Sequence, residues 1–225
     1  MLAIKSPWRK ALWAVLYKEG LCELRTRYAL SALAMFALIT LSSVSMAIAG
    51  TSLTPELAAV LLWIILFFCA MAGLSRVFVQ EQETGTIFTL RLYMGAQAVI
   101  FGKLLFNIVM LMALTALIIP LFIIFLNVDI RLGFSLSLIL FLGDVGIGAA
   151  ATLTAALVAK TQGKSALFTV LTFPVLLPQF LAVISATAKV LNHTVPGLTE
   201  LFFMAGYDLV LFIAASILFD YLWYD

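Results

Sequence analysis

The residues of this chain that could do chemistry are few. Gly163-Lys164-Ser165 has the tail of a phosphate-cradling loop, but Val158 stands where the first glycine belongs and no strand precedes it. Gly102-Lys103 is followed by Leu104, so neither site binds ATP by the G-x-x-x-x-G-K-[ST] route. Acyl transfer or intramembrane proteolysis needs a nucleophile beside a base. The sequence has a single histidine, His193, in a connection, and no G-x-S-x-G. Cys22 and Cys69 lie far apart with no C-x-x-C, and read as small apolar fillers rather than a redox or metal pair. The sharpest anomaly is Asp144, alone in a long apolar run. An acid at the centre of a bilayer costs roughly 3 kcal/mol on insertion scales and should face the bundle interior. It could line a substrate route or a subunit contact. It could equally be a neutral acid bonded to a neighbouring helix, through Asn107 or a threonine. The second reading fits better, because no basic residue is available at that depth.

The elements that must position these residues follow from composition. The 225 residues are 64% hydrophobic and 11% charged, against roughly 25% charged in soluble domains, so this is an integral membrane protein. Apolar stretches near the roughly 20 residues needed to span a bilayer fall at about 29–49, 55–75, 98–126, 132–159, 165–188 and 200–222. The fold class is therefore all-α with six transmembrane helices. Every Lys and Arg except Arg131 and Lys189 falls on one side of this map, which places both termini in the cytoplasm. The net charge of +2 gives no case for nucleic acid, since the basic residues hug the membrane boundaries.

Within that frame, residues 1–28 form a cytoplasmic segment in which Trp8, Ala11, Leu12, Val15 and Leu16 share one helical arc. This predicts a helix lying in the membrane interface. Ala47-Ile48-Ala49-Gly50 mimics a signal-peptidase site, but the run before it is too long for a signal core, and the segment reads as a retained span. Thr54-Pro55-Glu56 reads as N-cap, first-turn proline and dipole-matched acid. Pro120 predicts a kink in the third span. Gly146, Ala150 and Thr154 form a ridge of small residues that admits a close helix. Pro174 and Pro178 share a face and leave the carbonyls of Val170 and Pro174 without their usual donors. Asp208, nearer the far face, calls for less explanation.

The longest polar island, residues 76–103, carries Arg76, Glu81, Glu83, Arg91 and Lys103. It exceeds the roughly 2–8 residues of an ordinary helix connection, and reads either as a plain interfacial loop or as a short amphipathic helix that docks a soluble partner. Glu81-x-Glu83-x-Gly85-Thr86-Ile87-x-x-Leu90-x-Leu92, with Phe78 before it and Gly102-Lys103 after it, resembles the segment following the second span of ABC-2-type transporter permeases. It is most similar to the heme exporter protein B family of cytochrome c maturation. Thr84, Phe88 and Met94 depart from the family pattern, which has Asp, Glu and Pro there. The Pro174-x-x-x-Pro178 pair in the fifth span also resembles this family, and the likeness extends over essentially the whole chain.

The resemblance implies a permease subunit of type-2-exporter fold, residues 29–225, with residues 76–97 as the cytoplasmic coupling helix. Phe78, Glu81, Glu83, Gly85, Thr86 and Leu90 would meet the ATPase. It implies ATP hydrolysis on a separate subunit present in two copies and a second copy of this chain. A heme-handling membrane subunit, a small membrane subunit and a heme chaperone would complete the assembly in a bacterial inner membrane. Heme is then the handled ligand of the complex, with no metal or catalytic residue in this chain. His193 as an axial ligand is conceivable, although a lone loop histidine is more often solvated. Asp144, Gly146, Pro174 and Pro178 are the helix-packing or translocation candidates. The alternative is an ABC-2 permease for a drug, lipid or polysaccharide.

This map predicts the reach of a membrane-impermeant thiol reagent. With both native cysteines replaced by alanine, Ser52→Cys and Asn192→Cys should label in intact cells, and Leu90→Cys only after permeabilisation. Labelling of position 90 in intact cells refutes the topology.

Overall fold

The structure is a computed structural model that describes residues 8–26, 28–48, 53–74, 93–130, 132–158 and 164–224. Among them are seven α-helices and no strand: α1 Trp8–Thr26, α2 Tyr28–Ile48, α3 Pro55–Leu74, α4 Ala96–Leu126, α5 Gly133–Val158, α6 Lys164–Leu191 and α7 Leu198–Tyr224. The ends of α2 to α7 lie within three residues of the six expected spans. Five of them, α3 to α7, are long and apolar enough to cross a membrane, and α2 holds a shorter apolar stretch, Leu33–Ile48.

Local chemistry sets the helix ends. Thr54 caps α3: its carbonyl accepts from Ala58 N at 2.9 Å and its hydroxyl from Leu57 N at 3.4 Å. α4 runs unbroken through Pro120 and stops at Asn127, whose φ of 49° is the left-handed conformation that ends helices. α6 closes the same way at His193, φ 60°, where Thr194 N reaches back to the Lys189 carbonyl at 2.8 Å. His193 is thus an exposed helix-terminating residue. At the start of α7, Glu200 accepts from Gly197 N at 3.1 Å, half of a capping box. The same carboxylate takes Lys189 Nζ at 2.6 Å and Ser185 Oγ at 3.0 Å, which ties α6 to α7. Beside it, Asn192 donates to Glu56 at 2.9 Å and ties α6 to α3.

α5 is the central helix. It packs against α3, α4, α6 and α7, and 72% of its apolar window is buried, against 22% for α7. Its glycines explain this. A Cβ on Gly143 would sit 2.0 Å from the Trp63 ring of α3, and one on Gly148 would sit 2.9 Å from Ile108 of α4. Lipid tails are as apolar as leucine, so helices in a membrane gain most from close van der Waals approach, which small residues permit. α3 and α6 meet instead through an edge-to-face aromatic ladder, Phe67 with Phe173 at 5.9 Å and with Phe180 at 5.7 Å.

α1 forms as expected and packs part of its apolar arc against the bundle. Ala11 and Val15, part of the arc assigned to the membrane interface, are 2% and 1% exposed because α1 packs against α4. A Cβ on Gly102 would lie 2.8 Å from Val15. Trp13, Tyr17 and Leu21 form the exposed stripe. Lys103, expected in the polar island outside the hydrocarbon, is fully buried and donates to Glu19 at 2.9 Å. Glu19 also takes Lys18 at 3.1 Å. The motif pair Gly102-Lys103 is therefore the seat of α1: the glycine admits Val15, and the lysine meets the acid one turn on.

Burial pushes the Glu19 carboxyl up, but Lys103, with Lys18 behind it, outweighs this and holds it below its ordinary value of 4.5. A carboxyl held low stabilises the fold above its ordinary value, and that contribution is lost as pH falls through the folded value. Removing one partner of a buried pair costs about 3–5 kcal/mol, and replacing both can restore much of it. Lys103→Met should therefore lower the melting temperature of the detergent-solubilised protein, with Glu19→Gln/Lys103→Met recovering part of the loss. The wild-type advantage over the double variant should shrink below pH 4.5. Equal melting of wild type and Lys103→Met shows that the pair is not holding α1.

Candidate functional site

Most of the polar side chains buried in the spans meet at the faces of α5. Toward α4, Asp144 accepts from the Thr115 hydroxyl at 3.0 Å and Thr152 from Asn107 Nδ2 at 2.8 Å. These pairs keep one antiparallel register, two turns apart on each helix. Toward α6, the Thr154 and Thr172 hydroxyls are 2.7 Å apart. Each can also turn back on its own helix, to Ala150 at 2.8 Å and Phe168 at 2.6 Å. Such self-bonding satisfies a hydroxyl where no water reaches. Between α3 and α6, Trp63 Nε1 donates to Thr187 at 2.9 Å.

A second cluster lies where α5, α6 and α7 meet. Gln179 Nε2 donates to Asp208 Oδ1 at 3.0 Å and approaches the Leu142 carbonyl at 3.5 Å. Both residues are nearly sealed, Gln179 1% and Asp208 4% exposed. Gly146 makes room for them: its missing Cβ would lie 2.7 Å from Asp208 Oδ1 and 2.9 Å from Gln179 Nε2. One residue before Asp208, the Tyr207 hydroxyl donates to the Val175 carbonyl at 2.5 Å. That acceptor neighbours Pro174, whose own carbonyl was expected to need a donor. A carbonyl with two lone pairs can take such a side-on bond and keep its helical one.

The expected residues therefore separate. Gly146 belongs to the Gln179–Asp208 cluster, Pro178 directly precedes Gln179 in α6, and Pro174 directly precedes Val175, the acceptor of Tyr207. Asp144 faces the other way, toward α4, because two residues along a helix turn the side chain by about 200°. The Gly146-Ala150-Thr154 ridge receives α6, with Gln179 against one end and Thr172 against the other. Phe78, Glu81, Glu83, Gly85, Thr86 and Leu90 lie outside the described residues. Asp208, read as calling for less explanation than Asp144, is nearly as deeply buried, 4% against 2% exposed, and lies beside Gly146. Gln179, Tyr207 and Glu19 were missed. A glutamine directly after Pro178 in an apolar run was the available signal for the first.

No group of three or more His, Cys, Asp or Glu that could hold a metal occurs among the described residues. The chemistry on view joins helices in a medium without water. The fold and its buried polar ties define a multi-pass helical membrane protein. Residues 10–219 match the family described as CcmB protein, so the chain belongs to that family, the heme exporter permeases of cytochrome c maturation. These are membrane permease components that work with ABC ATPases. A search of curated proteins returned no match.

Asp144 generates a prediction. Asn at this position can still accept from Thr115, so Asp144→Asn should preserve assembly and most cytochrome c maturation. Asp144→Leu leaves the buried Thr115 hydroxyl without its acceptor, which costs about 1–3 kcal/mol and should lower the melting temperature. An intact but inactive Asn variant would show that the acid itself is required.

Proposed function

We propose that this chain is the six-span permease subunit of an ABC transporter complex for cytochrome c biogenesis. The match over residues 10–219 carries this reading. It is supported by five long apolar helices, with the Leu33–Ile48 stretch of α2 as the sixth span. In this reading the Lys103 end of the bundle faces the cytoplasm of a bacterial inner membrane, with both chain termini, α1 in the interface and residues 76–97 as the coupling segment. Two ATPase subunits hydrolyse ATP, and a second copy of this chain completes the permease. A heme-handling membrane subunit, a small membrane subunit and a heme chaperone act with it, and ATP drives release of the heme-loaded chaperone. Heme is the cargo of the complex and ATP is bound by its partner.

The coupling role rests on position and residue type. The segment leads directly into α4, which begins at Ala96 and holds α1 through Gly102 and Lys103. A push on it reaches α4 and α1 together. Glu81 and Glu83 can pair with basic groups, Phe78 and Leu90 can enter a groove on a soluble partner, and Gly85 permits close approach.

The decisive experiment is purification of the complex followed by measurement of bound heme and ATPase activity. Glu83→Lys and Gly85→Leu should insert normally, lose ATPase association and abolish cytochrome c maturation. Normal ATPase binding and maturation in both variants refutes the coupling role. A complex that hydrolyses ATP but supports no maturation refutes the heme assignment.

A further inference from the structure

The junction of α5, α6 and α7 contains two acceptors that no protein donor reaches. Asp208 Oδ2 and Gln179 Oε1 are both buried without a hydrogen-bond partner, while the other halves of the same two groups are joined, Nε2 to Oδ1, at 3.0 Å. An amide and a carboxyl linked by one such bond form an eight-membered ring when the second carboxyl oxygen carries a hydrogen and donates to the amide oxygen. One proton thus removes both unsatisfied acceptors. A carboxylate would leave an anion sealed in the bundle with one neutral donor, an expensive arrangement.

The surroundings leave little else for the site to bind. Gly146 closes its floor, with Gln179 Cγ 3.0 Å from the position of the absent Cβ and Asp208 Oδ1 at 2.7 Å. A proton needs no volume. The acids on the helices packed here, with Tyr207, Lys189 and Lys103, are engaged elsewhere. Asp144 on α5 holds Thr115, and Tyr207 on α7 holds the Val175 carbonyl. Lys189 and Glu200 pair with each other at one end of α6 and α7. Asp220 takes Gln97 at the other end of α7. On α3, Glu56 takes Asn192, and on α4, Lys103 pairs with Glu19.

We propose that Asp208 and Gln179 form an intramembrane proton-binding site, in which Asp208 takes one proton at Oδ2 and shares it with Gln179 Oε1. The proton comes from solvent and returns to solvent, with one O–H bond formed and broken. With it in place, α7 is joined to α6 by two hydrogen bonds across Gly146. Without it, the carboxylate faces the amide oxygen and one bond is lost. Proton occupancy and closure of the α5–α6–α7 junction are therefore linked, and movement of α7 away from α6 would open the site to exchange.

The test is infrared spectroscopy of the full chain in its complex. A protonated-carboxyl C=O band should be present at neutral pH, shift in D2O, and be lost in Asp208→Asn while persisting in Asp144→Asn. In Gln179→Met the band should move to the frequency of a less strongly bonded acid. This reading does not depend on the Asn variant folding. Raising pH should lower the melting temperature of wild type more than that of Asp208→Asn, whose side-chain N–H replaces the acidic O–H in the ring. Loss of a carboxylate band in Asp208→Asn, with no acid band lost, overturns the proposal. So does a melting temperature that follows sodium concentration, which would mean that the site is anionic and holds a metal cation. An acid band unchanged in Gln179→Met shows that the proton is not shared and also overturns it.

Discussion

A polar group inside a bilayer must find its partner within the protein, and the organisation of this bundle depends on that constraint. Water cannot satisfy a stray hydroxyl or amide there, so each buried polar side chain selects the helix that can answer it. Asp144 selects Thr115, Asn107 selects Thr152, Thr154 selects Thr172 and Gln179 selects Asp208. The first two pairs set the register of α5 against α4 and the third sets it against α6. Hydrophobicity cannot do this, since apolar side chains are equally content against lipid. The polar pairs give alignment, and the glycines at 143, 146 and 148 let the helices come close enough to use it.

Much of the fold could be read beforehand because span length and span hydrophobicity are local properties. The six stretches, the Thr54 cap and the ridge at Gly146, Ala150 and Thr154 needed nothing beyond the sequence near them. Partner identity was not local. Asp144 implied a bonded neighbour on another helix, with Asn107 or a threonine as candidates, but only the packed bundle selects Thr115. The buried lysine is the clearest case. A basic residue near a membrane boundary reads as solvated, and Lys103 escapes that rule because an acid 84 residues earlier is folded over it. The underestimate of Asp208 has the same origin: its depth was judged along one helix, although Gly146 on another helix seals it.

The two ends of the bundle use different means. Near Glu200, charges and caps tie α3, α6 and α7 through Asn192, Lys189 and Ser185. These contacts are exposed, so each is worth at most about 1 kcal/mol, and they pin short connections. At the Lys103 end the tie is a buried ion pair that joins α4 to α1. The coupling segment proposed for the ATPase enters α4 at that same end, beside the Lys103–Glu19 pair.

That link also has a consequence for biosynthesis. A ribosome makes Glu19 before it makes Lys103, with α2, α3 and the long connection after α3 between them. For that interval α1 has neither its counter-charge nor the Gly102 notch in which Val15 sits. It must wait at the membrane surface until α4 is delivered, with Arg9, Lys10 and the stripe of Trp13, Tyr17 and Leu21 as its means of attachment. α1 is thus synthesised before α4 and reaches its final contacts only once α4 is in place. Its seating on α4 marks the point in translation at which the first half of the bundle has closed.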